Sequence, residues 1–233
     1  MRKILTFIFL LPLISCADLQ QIAQQFPQQN TIGTIDISNA LKEALNNGIS
    51  KQVMKLTTPD GFFKNEMVKI LLPQELQKVD KTLRDIGLSS LADEGLKVLN
   101  RAAEEAVKEA TPIFVDAVKQ MTFTDAKNIL MGADNAATSY LKNTTSNALY
   151  AKFSPVVNNS LSKVGADKIW NEIITKYNSI PLVNKVNPDL TDYVTTKAME
   201  GVFTMIAVEE KEIRNNVAAR TSDLLKKVFA LQD

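Results

Sequence analysis

The sequence predicts an all-α protein, a single multi-helix, bundle-like domain behind a flexible N-terminal lipoprotein tether. Apolar side chains recur at intervals of three and four residues over most of the chain, which is the period of an α-helix. Proline and glycine fall where these periodic stretches begin and end. One short run, residues 68–72, is compatible with an extended conformation, but no second convincing strand exists to pair with it.

The composition excludes several classes of function. The chain has 233 residues, of which 45% are apolar and 23% charged, as in ordinary globular proteins. Lys and Arg number 27 against 26 Asp and Glu, and this balance argues against nucleic-acid binding, which favours a basic excess. The chain has no histidine and one cysteine, which excludes Ser-His-Asp catalysis, imidazole metal sites, thiolate zinc clusters and internal disulfides. We expect no cofactor and no metal.

The first fifteen residues have the layout of a secretory signal. Arg2 and Lys3 form a positive region, and residues 4–13 form an apolar region that is too short to span a bilayer as a helix. The run LISC, residues 13–16, resembles a bacterial lipobox. In such signals the cysteine, here Cys16, is lipidated and becomes the first residue after cleavage, and several acyl chains hold it stably in a membrane. The alternative is a conventional signal peptide with an incidental cysteine.

The residues after Cys16 bear on location and on the tether. Ala17 rather than Asp follows the cysteine, which by resemblance to the enterobacterial sorting rule favours the outer membrane, and no acidic export run follows. We therefore predict a signal peptide over 1–15 and a lipid-anchored domain in the bacterial cell envelope that faces the periplasm. Residues 16–37 are predicted to be the lipidated cysteine and a Gln-rich linker. Alternatively, Leu19 to Phe26 form a short amphipathic helix that docks on the membrane or on the rest of the chain.

Residues 38–233 are predicted to be one all-α domain. A first helix carries an apolar stripe over 40–53 and ends before the turn at 59–61. A second occupies 73–87, between a proline that suits a helix start and a glycine that suits a helix end. A third follows Ser90 and has a wide apolar arc rich in alanine, which is typical of a central helix packed against several neighbours.

The second half of the domain continues this pattern. Helices are predicted over 112–119, 125–131, 136–152, 155–165 and 170–177. Asp134 is predicted to cap the third of them, and Pro155 to begin the fourth. Asn187-Pro188-Asp189 starts a helix of about 25 residues, on the order of 38 Å, which we expect to be the longest, and a further helix ends the chain.

Five stretches of the domain carry longer motifs. They are PDGFF (59–63), NRAAE (100–104), MTFTDAKNILMGADNAATSYLKNTT (121–145), NPDLTDYVTTKAMEGVF (187–203) and AARTSDLLKKVF (218–229). Together they resemble DUF4197, a family of predicted bacterial lipoproteins, over residues 38–229. The resemblance implies a single helical domain with an envelope location. It implies no catalytic residues, because the family is named for its unknown function.

Two groups of polar residues are candidates for a pocket. They are Asn100, Arg101 and Glu104 on the alanine-rich helix, and Asp116, Lys119, Thr122, Thr124 and Asp125 around a helix junction. If the groups meet, Arg101 suits a carboxylate or phosphate, and Asp116 and Asp125 suit a hard cation such as Ca²⁺. The alternative interpretations are structural: the first group is a solvated or ion-paired face, and the threonines and Asp125 are a helix cap.

The leading hypothesis for function is a membrane-anchored, periplasm-facing helical lipoprotein. It is a binding or interaction module for a small apolar or anionic ligand or for an envelope protein. One alternative is a hydrolase that uses the carboxylates of Glu104, Asp116 and Asp125, although the absence of histidine and of a recognised catalytic motif argues against an enzyme. Another alternative is a structural envelope-assembly protein that has no pocket.

Overall fold

The structure is a computed structural model that describes residues 33–73, 77–87, 89–182 and 184–231. The helices in these residues are α1 (Thr34–Thr57), α2 (Gln77–Asp85), α3 (Ser89–Val107), α4 (Ala110–Gln120), α5 (Phe123–Leu130), α6 (Ala136–Ser162), α7 (Ala166–Asn178), α8 (Leu190–Asn215) and α9 (Asp223–Phe229). The described residues contain no β-strand, which confirms the predicted fold class. None of their helices is long and apolar enough to cross a membrane. The predicted signal peptide, Cys16 and linker residues 17–32 lie outside the described part of the chain.

Three helices, α3, α6 and α8, pack against one another at the centre of the domain. α3 brings an alanine-rich face to this contact, in which Ala102, Ala103 and Ala106 are buried. Side chains this small let helix axes approach closely, as the sequence predicts for this helix. α1 packs against α8, α4 and α5, and α7 packs on α6 and α8. Residues 34–233 thus form one compact unit with its own core, so we expect this unit to fold by itself.

Pro155 lies inside α6, so the prediction of a separate helix beginning there is wrong. α6 consequently has 27 residues and is one residue longer than α8, which the sequence pattern predicts to be the longest helix. A proline removes the hydrogen bond to the carbonyl four residues earlier, here that of Ala151. Both residues are exposed, so water can hydrogen-bond the freed carbonyl and the helix continues.

The helix ends follow the sequence signals in most places. Asp189 caps α8 by accepting a backbone N–H of its first turn at 3.0 Å. Gly87 and Gly165 both have positive φ, as expected of glycines that end helices. The predicted cap of α6 is wrong, because Asn135 rather than Asp134 stands at the N-cap position and its side chain makes no capping bond.

Several helices begin earlier than the pattern predicts, including α5 at Phe123 and α7 at Ala166. α1 begins at Thr34, four residues before the predicted start at Ser38. α4 begins at Ala110, so Pro112 lies within its first turn rather than at its first position. A proline is tolerated there because the N–H groups of the first turn have no carbonyl partner within the helix.

Residues 58–73, here called the 58–73 loop, join α1 to the segment before α2 and contain the run that the sequence left ambiguous. The loop has turns but no regular element. Its side chains Phe62, Val68 and Ile70 are buried. Gly201 of α8 makes room for Phe62, since a Cβ at Gly201 would lie 2.7 Å from a ring atom of Phe62. The loop therefore packs directly against the α8 backbone.

Candidate functional site

The buried polar residues of α3 hold the 58–73 loop in place. Asn100 is fully buried, and its side-chain oxygen accepts the N–H of Ile70 at 2.8 Å while its amide nitrogen donates to the Ile70 carbonyl at 2.9 Å. One side chain thereby pairs with both backbone groups of Ile70, as a neighbouring strand would. These bonds satisfy polar backbone groups that would otherwise be buried without partners.

Glu104 supports the same loop one helical turn further along α3. Its side chain is buried, and one carboxylate oxygen accepts the N–H of Phe62 at 3.2 Å. Burial raises the pKa of the Glu104 carboxyl, because little water remains to solvate its charge, while the Phe62 N–H and the positive charge of Arg101 act in the opposite direction. The interpretation of this group as a solvated face is therefore wrong for Asn100 and Glu104.

Arg101 is exposed and ion-paired, which agrees with the structural interpretation of this residue. Its guanidinium donates to one oxygen of Asp60 at 2.9 Å, and the Lys64 ammonium lies 2.8 Å from the other oxygen. Asp60 adopts a φ of 65° at the turn before the loop. Lys64 and then Arg101 hold the pKa of the Asp60 carboxyl below its usual range. The cation that we considered for anion binding is thus engaged by a carboxylate of the protein itself.

Most of the second predicted group lies at the start of α5. The Thr122 hydroxyl accepts the N–H of Asp125 at 3.2 Å, and the Asp125 carboxylate accepts the N–H of Thr122 at 2.9 Å. This reciprocal pair is a capping box, which confirms the capping interpretation for both residues. The bonds from Thr122 lower the pKa of the Asp125 carboxyl. Thr124 is exposed in the same turn.

The remaining two candidates lie on the surface of α4. Asp116 and Lys119 are both exposed, with 3.8 Å between carboxylate and ammonium. The first group therefore bonds to the 58–73 loop, and the second bonds mainly within its own helix ends. The cavities described below are lined by other residues. The described part of the chain contains no group of three or more Asp, Glu, Cys or His side chains placed to hold a metal ion.

A set of buried charges on α8 was missed by the sequence analysis. Glu210 and Arg214 are buried and form an ion pair of 2.8 Å. The Glu210 carboxylate also accepts the N–H groups of Ala137 at 2.9 Å and Thr138 at 2.8 Å, so it caps α6 from a neighbouring helix. Arg214 donates to the carbonyl of Ile129 at 2.8 Å, at the end of α5. This ion pair therefore stabilises the junction between α5 and α6, because it bonds to the end of one helix and the start of the other.

Glu209 joins α8 to α1. It accepts hydrogen bonds from Gln52 at 2.6 Å and from Lys51 at 2.8 Å. Gly48 of α1 allows the close approach, since a Cβ there would lie 3.1 Å from the Glu209 Cγ. Beside Glu209 lies a mostly apolar cavity of about 30 Å³, which has room for about two water molecules. The cavity is too small for a metabolite.

The sequence contains a weak signal for these buried charges. Glu209 lies between Ile206 and Ile213 at intervals of three and four residues, so a carboxylate falls on the apolar stripe of the helix. A charge on such a stripe predicts a buried, partnered side chain. The signal is obscured because five of the seven residues over 208–214 are charged, which is typical of a solvated face.

A surface groove runs between α6 and α8. The helices are antiparallel, because Tyr150 of α6 donates to Asp192 at the start of α8 at 2.7 Å, while Thr138 at the start of α6 bonds to Glu210 near the end of α8. The Asp192 hydrogen bond, with some burial, raises the pKa of Tyr150. The groove holds about 670 Å³. It extends along α6 for about 15 residues, on the order of 20 Å.

The groove combines apolar side chains with hydroxyl groups and a cation. Its apolar lining comprises Tyr150, Met199, Phe203 and Ala207, between threonine and serine hydroxyls. Phe203 is held by an edge-to-face contact with a phenylalanine of α4 at 6.0 Å. Lys142 also lines the groove, and no carboxylate among the described residues lies within ion-pairing distance of its ammonium.

Comparison with known proteins identifies the family but no activity. The profile of the family described as protein of unknown function (DUF4197) matches residues 31–230. The chain therefore belongs to DUF4197, in agreement with the motifs in its sequence. No curated protein and no solved structure gives a significant match.

Proposed function

We propose that this DUF4197 protein is a lipid-anchored envelope protein whose helical domain binds an elongated apolar ligand with an acidic end. The ligand occupies the groove between α6 and α8. Cys16 anchors the chain in the outer membrane, and the domain faces the periplasm. The observation that carries the binding proposal is the groove itself, an elongated surface groove that combines apolar side chains and hydroxyls with Lys142 and Glu200.

The size and lining of the groove support a small-molecule ligand. Binding sites for such molecules measure about 300–1,000 Å³ and combine apolar and aromatic walls with a few polar groups. The groove volume of about 670 Å³ lies within this range. Its length along two antiparallel helices suits an extended molecule rather than a compact one.

Lys142 supports the acidic end of the ligand. It lines the groove, and its ammonium has no carboxylate partner among the described residues, whereas Glu200 at the same groove is paired with Lys197 at 2.7 Å. A carboxylate or phosphate on the ligand would supply the missing partner through a charge-assisted hydrogen bond.

The contacts of the carboxylates give the hydrolase alternative no support. Asp125 is engaged in a capping box, Asp116 lies exposed beside Lys119, and Glu104 supports the 58–73 loop. Each has a structural partner, and the three carboxylates lie in different parts of the fold.

Titration of residues 34–233 with dodecanoate, followed by native mass spectrometry and calorimetry, tests the groove. We expect dodecanoate to bind, and Ala207→Trp to abolish binding by filling the groove. Ala148→Trp is the matched control, because Ala148 is an exposed residue of α6 that does not line the groove. Binding that survives Ala207→Trp, or that Ala148→Trp removes equally, would refute the groove as the site.

A second comparison isolates the role of Lys142. Lys142→Gln should weaken dodecanoate binding about tenfold, the value of a hydrogen bond to a charged group, and should leave uncharged dodecanol unaffected. Lys152→Gln changes another exposed lysine of α6 outside the groove and should affect neither ligand. Equal losses for acid and alcohol would show that Lys142 does not bind the acidic end.

The anchor is tested on the full chain in a bacterial host. We expect the wild-type protein to carry acyl chains on Cys16 and to have lost residues 1–15, which intact-mass spectrometry measures directly. The Cys16→Ala variant should retain residues 1–15 and lack the mass of the acyl chains. If Cys16→Ala is processed to the same site and stays in the membrane fraction, the anchor proposal is wrong.

A further inference from the structure

Large apolar side chains project from the surface around α7. Val164 before the helix, Ile169 within it and Ile180 after it are each more than half exposed, and Leu182 is fully exposed. Single exposed apolar residues are ordinary, whereas neighbouring ones can form an interaction site, and these four all fall within residues 164–182. We call these four residues, together with the lysines named below, the α7 edge.

Helix geometry places two apolar residues of the α7 edge, Ile169 and Ile180, on the same outer side. Ile169 and Ile180 are eleven residues apart, which is about three helical turns and returns to the same side, and backbone hydrogen bonds continue the turn to Ile180. Trp170 and Ile174 lie on the inner side and are buried. Trp170 stacks on Tyr193 of α8 with ring centroids 5.9 Å apart. α7 therefore packs Trp170 and Ile174 into the core and leaves Ile169 in solvent, with Ile180 exposed on the same side just after the helix.

Leu182 is held outward at a conformational cost. Its φ is 67°, a left-handed conformation that is rare for residues with a bulky side chain. The same residue is fully exposed, so the strained backbone is not compensated by burial of the leucine within the domain. Strain of this kind concentrates at functional positions.

The α7 edge is also positively charged. Its lysines are Lys163, Lys168, Lys176 and Lys185, and the same stretch contains two carboxylates, Asp167 and Glu172. Glu172 pairs with Lys176 at 2.8 Å, and Asp167 accepts a hydrogen bond from Ser162 at 2.9 Å. The other three lysines have no ion pair among the described residues. The segment that carries the exposed apolar side chains therefore has a cationic excess, in a chain whose charges nearly balance overall.

We propose that the α7 edge is a docking surface for a membrane that contains anionic lipid. Apolar side chains that enter the interfacial region, surrounded by lysines that meet lipid phosphates, are what peripheral membrane binding requires. A protein partner fits the composition less well, because lysine is depleted in protein interfaces. The proposal depends neither on Cys16 nor on the groove between α6 and α8, so its failure would leave both untouched.

Vesicle flotation of residues 34–233 tests the proposal directly. This unit lacks the predicted signal peptide, residues 1–15, whose apolar region would itself insert into vesicles. We expect it to float with vesicles of phosphatidylcholine mixed with phosphatidylglycerol and not with phosphatidylcholine alone. Binding should weaken as salt is raised, because salt screens exposed charges.

Variants with matched controls locate the surface. Leu182→Ser should lower the partition onto the mixed vesicles about tenfold, and Lys163→Gln and Lys185→Gln about fivefold each. Met54→Ser on α1 and Lys227→Gln on α9 are the controls, because they remove, elsewhere in the domain, an exposed apolar residue and an exposed lysine that has no ion pair among the described residues. Circular dichroism should show unchanged helix content in all variants.

The outcomes separate a membrane from other partners. Losses confined to the α7-edge variants support lipid docking. Equal losses in the control variants, equal binding to both kinds of vesicle, or no binding to either would overturn it. Cross-linking of the α7 edge to an envelope protein, in the absence of vesicle binding, would overturn it in favour of a protein interface.

Discussion

Two buried carboxylates, Glu210 on α8 and Glu104 on α3, meet very different surroundings. Glu210 accepts two backbone N–H groups and a hydroxyl at the start of α6 and pairs with Arg214. Glu104 accepts the N–H of Phe62 at 3.2 Å, while the neighbouring Arg101 donates to Asp60 instead. A buried charge is costly unless it is paired and hydrogen-bonded. Burial therefore raises the pKa of Glu104, whereas Glu210 has the partners that a buried carboxylate needs.

The different contacts of Glu210 and Glu104 show two ways in which this protein stabilises a non-helical segment. The α5–α6 junction depends on an ion pair that bonds to both helix ends. The 58–73 loop depends chiefly on the neutral amide of Asn100, with Glu104 as an additional acceptor. Removal of one side chain should therefore destabilise the α5–α6 junction more than the 58–73 loop.

The largest effect is expected for Glu210→Ala. This variant removes the cap of α6 and leaves the Arg214 guanidinium buried without its carboxylate, so the free energy of unfolding should fall by about 3–5 kcal/mol. Urea unfolding measures the change. Replacement of both residues by leucine should cost less than Glu210→Ala alone, because no unpaired charge remains buried.

An exposed ion pair serves as the control for this prediction. Glu172 and Lys176 have the same spacing along α7 as Glu210 and Arg214 along α8, but both side chains are exposed. Glu172→Ala should change stability by about 0.5 kcal/mol or less. If Glu210→Ala costs no more than Glu172→Ala, the α5–α6 junction does not depend on the ion pair.

Asn100→Ala should have the next largest effect. It leaves the N–H and the carbonyl of Ile70 without their partner in a buried place, at a cost of about 2 kcal/mol. Hydrogen exchange should also accelerate at the Ile70 amide, which reports the loop separately from global unfolding. Asn143→Ala, an exposed position on α6, should change neither quantity. An Ile70 amide that stays protected in Asn100→Ala would show that another group holds the loop.

The features that the sequence predicted correctly are local along the chain. The cap at Asp189, the capping box of Thr122 and Asp125, and the glycine ends of helices each involve residues within a few positions of one another. The cap of α6 could not be found in this way, because Glu210 lies 73 residues after Ala137. The hydrogen bonds between Asn100 and Ile70 join residues that are 30 positions apart. Such pairs are set by which helices pack together, and the period of a single helix does not reveal that.

The same distinction applies to the candidate sites. Sequence reasoning grouped polar residues that are close along the chain, and the structure uses most of them in local caps and in support of a loop. The groove between α6 and α8 contains ordinary hydroxyl and apolar residues on two helices. It exists only because those helices lie antiparallel, so neither helix alone predicts it.

Thr122→Ala compares the two ends of α5. Thr122 caps the start of this helix from an exposed position, whereas the buried Arg214 binds carbonyls at its end. Loss of a threonine cap costs about 1 kcal/mol, so we expect Thr122→Ala to reduce the free energy of unfolding by much less than Glu210→Ala. Thr124→Ala in the same turn is the control and should have little effect, because Thr124 makes no capping bond in the box. Comparable losses for the two threonines would show that the effect of Thr122→Ala does not come from the capping bond, since alanine has the higher helix propensity.

The smallest effect concerns Glu104 and appears as a dependence on pH. Since burial raises its pKa above the ordinary value of 4.5, the folded state binds a proton more readily than the unfolded state does. The free energy of unfolding should therefore fall as the pH rises from the ordinary pKa through the raised one. Glu104→Gln keeps an oxygen for the Phe62 N–H and removes the charge, so this part of the pH dependence should disappear.

Urea unfolding of the wild type and Glu104→Gln across mildly acidic pH measures the difference in slope. Glu105→Gln, at an exposed neighbour that pairs with Lys108 at 2.8 Å, should keep the wild-type slope. A slope that persists in Glu104→Gln would mean that the loop tolerates the buried charge without cost. The contrast between the two junctions would then rest on Asn100 alone.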